Sequence, residues 1–282
     1  MMAESRAHKS ADFYAQLIPT PTGPLRVPLC DQPNTTTRLS MVLPTFNEAQ
    51  NIEPMIRAVT EILERSQIAY ELIVVDDDSP DGTWSRALSL SASLPRLRVM
   101  RRANERGLAT AIIRGWQASC GDVLGVIDAD LQHPPEIIPK LWNQIEAGVD
   151  LAVGSRHVPG GGVSNWSWRR RLISRTAQGI GLLVLPEVLG RVADPMSGYL
   201  LVRRNKVAGV TLKPLGYKIL IEVLGRSQVR TIAEVGYLFQ ERLGDQSKVT
   251  WRSYRDYLLH LGILRFRRFS TMGRMENRSR RE

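Results

Sequence analysis

The chain has 282 residues, of which 43% are apolar and 23% are charged, so it can bury a large core and is not expected to be disordered. Its 38 Lys and Arg residues against 28 Asp and Glu residues give a formal net charge of +10, which favours a polyanionic partner such as nucleic acid, an anionic membrane face or a phosphorylated substrate. Two cysteines are too few for a disulfide framework, and the sequence has neither a long apolar run nor a secretory signal, so we expect neither a secreted nor an integral membrane protein.

The predicted elements begin after an irregular, proline-rich arm over residues 1–37, which is expected to pack loosely. From residue 39 onward, segments that are apolar nearly throughout alternate with segments whose apolar residues recur at helical spacing. This alternation predicts an α/β domain with a mostly parallel sheet flanked by helices. The predicted strands are 39–44, 70–75, 97–100, 122–127 and 150–153, and the predicted helices lie at about 52–63, 81–93, 107–119 and 134–147.

The alternation weakens after residue 155, where a glycine-rich loop precedes a basic helix. The later predictions are helices at about 166–185, 217–226 and 251–265, and strands at 199–202 and 232–239. We divide the chain into the arm, a main domain over residues 38–250, and an amphipathic helix with a basic tail over residues 251–282. That last helix suits either an anionic membrane surface or packing on the core, and the sequence leaves both open.

Two carboxylates follow the strand predicted at 122–127, where ligands of parallel sheets bind. In an extended backbone Asp128 and Asp130 point to the same side, so both can reach one hard divalent cation. Gln132 continues this spacing with a neutral oxygen, whereas His133 is expected to point away and to be structural. The alternative is an ordinary exposed turn, in which Asp-x-Asp is common.

Three acids, Asp76, Asp77 and Asp78, end another predicted strand. They repel one another unless they meet donors or a cation. Alternation places Asp77 opposite to its two neighbours, so the three cannot all serve one ligand, and one of them suits a base edge or a ribose hydroxyl. The structural alternative is that residues 79–82 form a turn that caps the next helix.

A third strand-to-helix junction has the sequence Pro44-Thr-Phe-Asn-Glu48. Phe46 could face a base and Glu48 could accept a ribose hydroxyl. In the structural alternative, Thr45 or Asn47 caps the following helix.

Basic residues form a separate set of candidates. Arg156 follows the strand predicted at 150–153, and Arg170 and Ser174 are four residues apart on one helical face. Two guanidinium groups and a hydroxyl make a plausible phosphate cradle. Runs of arginine are usually solvated surface, which is the competing interpretation of residues 169–171 and the one we adopt for Arg101-Arg102.

Five motifs occur in order along the chain: Pro44–Glu48, Val74–Thr83, Asn104–Leu108, Asp128–Glu136 and Gly154–Arg156. Together they resemble the family 2 glycosyltransferases of GT-A fold, and specifically the polyprenyl-phosphate (dolichyl-phosphate) mannosyltransferases. The resemblance continues to about residue 260. The related glucosyltransferases usually have Leu-Gln-Asp-Pro-Pro where this chain has Leu131-Gln-His-Pro-Pro135, which favours mannose. The family usually has Tyr at the position of Phe46 and Lys at that of Arg106.

The resemblance also implies roles for individual residues. The nucleoside pocket would be lined by Pro44, Phe46, Glu48, Val75 and Asp77. The metal, Mg²⁺ or Mn²⁺, would bind to Asp128, Asp130 and Gln132, which with Ala129 would also hold the donor diphosphate. Residues that close over the donor would be Arg242 and Lys248. Residues that grip the lipid phosphate would be Arg156, Arg170 and Ser174, which with the two metal-binding acids make up the catalytic set.

The implied activity is transfer of mannose from GDP-mannose to a polyprenyl or dolichyl phosphate, metal-dependent and inverting. A glucosyl- or N-acetylhexosaminyltransferase that uses a UDP-sugar is the alternative on the same scaffold. A nucleic-acid-binding module would also explain the net charge, but acids cluster at the predicted strand ends, and no nucleic-acid partner is expected. The acceptor implies peripheral contact with a membrane surface, at its cytoplasmic face, and leaves a membrane-anchor subunit open as a partner.

Overall fold

The computed structural model describes residues 17–29, 37–163, 176, 179–240 and 255–266. Its strands are β1 Leu39–Thr45, β2 Tyr70–Asp76, β3 Leu97–Arg101, β4 Val123–Val126, β5 Leu151–Ser155, β6 Gly162–Val163, β7 Leu200–Arg203, β8 Ile232–Gly236 and β9 Leu238–Phe239. Its helices are α1 Ile52–Arg65, α2 Thr83–Ser91, α3 Leu108–Gln117, α4 Ile138–Glu146, α5 Pro186–Leu189, α6 Arg204–Val207 and α7 Ile219–Arg226. A 3-10 turn, Pro135–Ile137, precedes α4, and residues 179–184 and 255–266 are also helical.

Seven strands form one sheet in the order β3-β2-β1-β4-β7-β5-β8. All neighbours in this sheet are parallel except β7, which runs antiparallel to both β4 and β5. The strands β1 to β5 therefore all point the same way, and their carboxyl ends meet at one side of the sheet. We call this side the carboxyl edge.

The sheet is covered on both faces because its strands are apolar nearly throughout. Every residue of β1 and β2 is buried. One core includes Ile113 and Trp116 of α3, and the other includes Ile56 of α1 and Leu141 of α4. The alternation predicted from residue 39 to residue 155 is thus confirmed, with element ends that differ by a few residues.

The prediction of a single strand over residues 232–239 is wrong. The chain leaves the main sheet after Gly236, and Leu238–Phe239 instead pairs in parallel with Gly162–Val163. A side chain at Gly236 would lie 2.3 Å from the carbonyl oxygen of Pro159, so this glycine lets β8 end directly against the glycine-rich loop.

The expectation of a loosely packed arm is wrong for residues 17–29. Val27 is fully buried, and Ile18 donates its backbone N–H to Val99 O of the edge strand β3 at 2.8 Å. Leu212 in turn donates its backbone N–H to Leu25 O at 2.8 Å. Proline correctly predicts irregular backbone here, but this backbone satisfies its polar groups by pairing with β3 and with the loop after α6.

The basic helix predicted at 166–185 lies mostly outside the described residues, although residues 179–184 are helical. Helix 255–266 packs on the domain through Tyr257, Leu261 and Leu264, and a buried hydrogen bond of 2.6 Å joins its His260 to Glu222 of α7. Among the described residues, no helix combines the length and apolar character needed to cross a bilayer.

Candidate active site

Asp128 and Asp130 lie at the carboxyl edge, just after β4. The extended spacing predicted for this segment is wrong, because the backbone turns and Leu131 adopts a left-handed conformation with φ of 61°. Both carboxylates nevertheless lie near the same ring atom: Asp128 Oδ2 is 3.9 Å and Asp130 Oδ1 is 4.0 Å from the Nδ1 atom of His133. Both side chains remain partly exposed.

His133 contacts the acids instead of pointing away from them, so that prediction is also wrong. Its ring is buried among Tyr199, Tyr237 and Phe239, with centroid distances of 5.5, 5.5 and 5.2 Å. Burial, reinforced by the nearby positive charge of Arg156, lowers the pKa of His133 to about 3. The imidazole is therefore neutral at physiological pH and adds no positive charge beside the carboxylates.

The donor set suits a hard divalent cation. Among the described residues no cluster of three or more His, Cys, Asp or Glu side chains forms a metal site, so this is a carboxylate pair and not a closed cage. Mg²⁺ is commonly bound by one or two carboxylates together with substrate phosphates and water, and a pair at an open edge fits that pattern. The Gln132 side chain donates its amide N–H to Gln240 O at 2.9 Å, which ties the acidic turn to the chain beyond β9.

The segment Asp194–Gly198 holds the other parts of the site together. Asp194 accepts two hydrogen bonds from the Arg156 guanidinium, at 2.7 and 2.8 Å. Lys218 donates its ammonium N–H to Met196 O at 2.8 Å. At the far end of the segment, a side chain at Gly198 would lie 3.3 Å from Asp128 Oδ2, so glycine avoids a tight contact with this carboxylate.

Arg156, Lys218 and the acid Asp128 thus all contact the segment Asp194–Gly198. Burial alone would lower the pKa of Arg156, but the hydrogen bonds and charge of Asp194, together with the charges of Tyr237 and Asp128, raise it. Burial, reinforced by the neighbouring Arg156 charge, lowers the pKa of Lys218 to about 7, while the charges of Asp194 and Asp128 act in the opposite direction. An arriving phosphate would favour the protonated form of this lysine.

The acids after β2 are separated by their donors, as the sequence predicts. Asp76 is fully buried and accepts hydrogen bonds from Thr45 and Ser79, both at 2.7 Å. Asp78 pairs with Arg101 at 2.6 Å. Asp77 accepts the Gly107 N–H at 2.6 Å and binds the guanidinium of Arg102. Burial raises the pKa of Asp77, although these two donors act against the rise.

Arg102 is fully buried against Asp77, so its assignment to solvated surface is wrong. The next residues of its loop reach the nucleoside candidates, because the guanidinium of Arg106 lies 5.5 Å from the ring centroid of Phe46. Glu48 is buried and accepts a hydrogen bond from the Asn51 amide at 2.8 Å.

Neither of the two turns expected to cap helices supplies a side-chain cap, but one of them supports the helix that follows. No side-chain cap occurs at the start of α1 or α2, and Thr45 bonds instead to Asp76. Asp81 does support the first turn of α2, since its carboxylate accepts the Thr83 N–H at 3.0 Å.

The structure brings together some of the candidate residues at the carboxyl edge. Those with a described position are Pro44, Phe46, Glu48, Val75, Asp77, Asp128, Ala129, Asp130, Gln132 and Arg156. Those outside the described residues are Arg170, Ser174, Arg242 and Lys248. Sequence reasoning missed Arg102, Asp194 and Lys218. Arg102 carries a usable signal, since it directly follows β3 at the same edge, whereas the sequence suggested no partner for Asp194 or Lys218.

The model of the family described as Glycosyl transferase family 2 matches residues 40–207, more than half of the chain. The chain belongs to this family. It is a glycosyltransferase, and its sheet order and helices confirm the predicted GT-A architecture.

Two curated relatives extend the match beyond the family model. The chain is 43% identical over 224 residues to a dolichol-phosphate mannosyltransferase of Pyrococcus furiosus, covering 79% of this chain and 62% of that protein. It is 35% identical over 230 residues to a polyprenol monophosphomannose synthase of Mycolicibacterium smegmatis, covering 78% and 84%. The chain therefore spans less than two thirds of the length of the Pyrococcus relative.

Solved structures agree on the fold. A glucosyl-3-phosphoglycerate synthase from Mycobacterium tuberculosis, in complex with Mn²⁺, UDP-glucose and phosphoglyceric acid, matches with a TM-score of 0.61 at 24% identity. The match covers 82% of this chain and 80% of that one.

Replacing Asp194 with Ala is expected to destabilise the protein by about 3–5 kcal/mol, because it removes the carboxylate that neutralises a buried guanidinium. Asp194 holds a lowered pKa through Arg156 despite its burial, so its contribution is complete at pH 7 and is lost as the pH falls through that folded-state pKa. Urea denaturation of both proteins at pH 7 and at acidic pH measures the difference in their free energy of unfolding.

The matched control is Glu146→Ala, which breaks the exposed pair with Arg38 and is expected to cost no more than about 1 kcal/mol. Equal losses from the two substitutions would contradict a special role for the buried pair.

Proposed function

We propose that this glycosyltransferase transfers mannose from GDP-mannose to a polyprenyl phosphate, with inversion at the anomeric carbon. The observation that carries the proposal is the arrangement around the segment Asp194–Gly198, which binds Arg156 and Lys218 and lies against Asp128 of the carboxylate pair. Carboxylates alone would repel both substrates, whereas acids and cations at one edge suit a cation-bound diphosphate that meets a phosphate. The relatives named as mannosyltransferases support mannose and a polyprenyl phosphate.

The acceptor needs little activation. A phosphate monoester has a second pKa near 6, so a polyprenyl phosphate is largely a dianion at neutral pH and is already nucleophilic. Arg156 would orient it, with Arg170 and Ser174 proposed from the sequence as its other contacts. The proposed chemistry therefore requires no general base, and the buried neutral His133 serves to pack the acidic turn.

Asp128, Asp130 and Gln132 are the proposed ligands of a divalent cation, either Mg²⁺ or Mn²⁺. When bound, such an ion would neutralise the charge that develops on the departing GDP. The structure of similar fold that contains Mn²⁺ with UDP-glucose supports this assignment. Arg242 and Lys248 are proposed to close over the donor, and Pro44, Phe46, Glu48, Val75, Ala129 and Asp77 to hold it.

The test is transfer of radiolabelled sugar into lipid that can be extracted with organic solvent. We expect labelling from GDP-mannose but not from UDP-glucose, with a polyprenyl phosphate acceptor, and we expect EDTA to abolish it. Replacing Asp130 with Ala should reduce transfer by about 10²-fold or more, since a bound cation contributes several kcal/mol.

Asp78→Asn is the matched control, because Asp78 is an acid at the same edge that pairs with Arg101, and it should keep nearly full activity. Labelling from UDP-glucose alone would contradict the mannose donor. Labelling that survives EDTA and the Asp130 substitution would contradict the metal assignment.

We also propose that the protein works as a peripheral protein at the cytoplasmic face of a membrane, since a polyprenyl acceptor resides in a bilayer. Helix 255–266 buries one face and leaves the other exposed, and Tyr257 on its buried face lies against Gly181 of the neighbouring helical segment. The exposed large apolar residues of the two segments make up what we call the apolar helix surface: Ile180, Leu182, Leu183, Leu258, Leu259, Ile263 and Phe266. The buried face matches the alternative of packing on the core, and we propose the membrane alternative for the exposed face, where a membrane-anchor subunit would also bind.

Flotation with vesicles of phosphatidylcholine and phosphatidylserine tests this surface. The double substitution Leu259→Ser and Ile263→Ser should strongly reduce the fraction that floats, because it removes two half-exposed apolar side chains from one helix face. The control, Leu29→Ser with Leu238→Ser, changes two equally exposed leucines elsewhere and should leave flotation unchanged. Equal flotation of both variants would contradict the proposed membrane contact.

A further inference from the structure

Side-chain hydrogen bonds join the N-terminal arm to helix α3, in addition to the apolar packing of the arm. Arg114, which is almost completely buried, donates an N–H to the carbonyl oxygen of Gly23 at 3.1 Å. Gln117, one turn later, donates to Pro24 O at 2.9 Å and to Arg26 O at 3.0 Å. These residues of the arm lie before residue 40, where the match to the family model begins.

Arg114 is also linked to the carboxyl edge through a series of charged side chains. Arg114 binds both carboxylate oxygens of Glu105, at 2.5 and 2.9 Å. Glu105 accepts from Arg102 at 3.3 Å, and Arg102 binds Asp77 with its Nε atom at 2.7 Å. An unbroken series of charged contacts therefore runs from Gly23 to Asp77, and we call it the arm relay.

The relay also fixes the loop between β3 and α3. Arg102 donates to the carbonyl oxygen of Gly107 at 3.0 Å, while the Gly107 N–H binds Asp77 at 2.6 Å. Gly107 has a φ of 128°, a conformation that residues with side chains rarely adopt. Arg106 lies between Glu105 and Gly107, which these contacts hold in place, and its guanidinium faces the Phe46 ring. Any shift of the loop therefore also moves Arg106 relative to Phe46.

We propose that Arg114 and Glu105 are positioning residues through which the docked N-terminal arm sets the geometry of the donor nucleoside pocket at Asp77, Arg106 and Phe46. This inference rests on the proposed function, since it assumes that a nucleoside binds there. The Nη1 atom of the buried Arg102 donates to Glu105 at 3.3 Å and to Thr110 at 3.1 Å, and Glu105 is itself held by Arg114. Loss of the outer members would remove the charged partner of that nitrogen and loosen Arg102 beside Asp77, without removing any group that touches the nucleotide.

The experiment measures the Kd for GDP by calorimetry, and KM and kcat with GDP-mannose, in one variant of the relay and one variant of the arm that it contacts. Arg114→Lys keeps the charge but loses the two-pronged contact with Glu105. Val27→Ala weakens the fully buried anchor of the arm. Both are expected to raise the Kd and KM by about three- to thirtyfold while kcat stays nearly constant.

Two controls separate positioning from general destabilisation. Arg98→Lys disturbs a comparable pair with the buried Glu71, which lies at the opposite edge of the sheet beside Ser40 at the start of β1. Leu29→Ala changes an exposed residue of the arm. Neither should change the Kd or KM, even where Arg98→Lys lowers the melting temperature as much as Arg114→Lys does.

A second test uses Asp77→Asn. If the relay acts through Asp77, adding Arg114→Lys to that variant should raise the Kd little further, whereas independent effects would multiply. If the wild-type protein binds GDP and the variants Arg114→Lys and Val27→Ala bind it equally well, the inference is overturned and the proposed function stays intact. Wild-type protein that binds no GDP would overturn the proposed function and this inference with it.

Discussion

The buried ion pair between Arg156 and Asp194 is the interaction on which the arrangement of the site depends. Burying two charges costs several kcal/mol of desolvation, and the pair is stable here because Asp194 also accepts the Arg156 backbone N–H. The pair anchors one end of a short segment, whose middle holds Lys218 through Met196 O and whose far end lies against Asp128. The positions of Lys218 and Asp128 relative to Arg156 therefore depend on the segment that this contact anchors.

The acids at this edge form two groups that differ in their surroundings. Those after β2 each have a dedicated protein donor, so their charges are compensated within the fold. Asp128 and Asp130 lie near His133, which burial keeps neutral, and both remain partly exposed. Two partly exposed carboxylates near a neutral ring favour a cation, which is why we propose metal binding at the turn after β4 and nucleoside binding in the region of Asp77.

The sequence was sufficient for the order of elements up to β5, because buried parallel strands are apolar nearly throughout and their helices are amphipathic. It also located the acids, since ligands bind at strand carboxyl ends. It failed for His133, because the left-handed backbone at Leu131 breaks the alternation on which the prediction relied. It failed for Arg102, whose burial depends on Asp77 in another strand. Such partners are set by tertiary packing, which neither local composition nor spacing records.

The most direct test of the account is whether nucleotide binding depends on a cation held by the acidic turn. Calorimetric titration of GDP should show binding with Mn²⁺ that weakens at least about tenfold in EDTA, since a diphosphate without a cation would meet two carboxylates. The substitution Asp128→Asn should weaken binding in Mn²⁺ and change it little in EDTA. Binding of equal strength with and without Mn²⁺, in both proteins, would contradict the central claim.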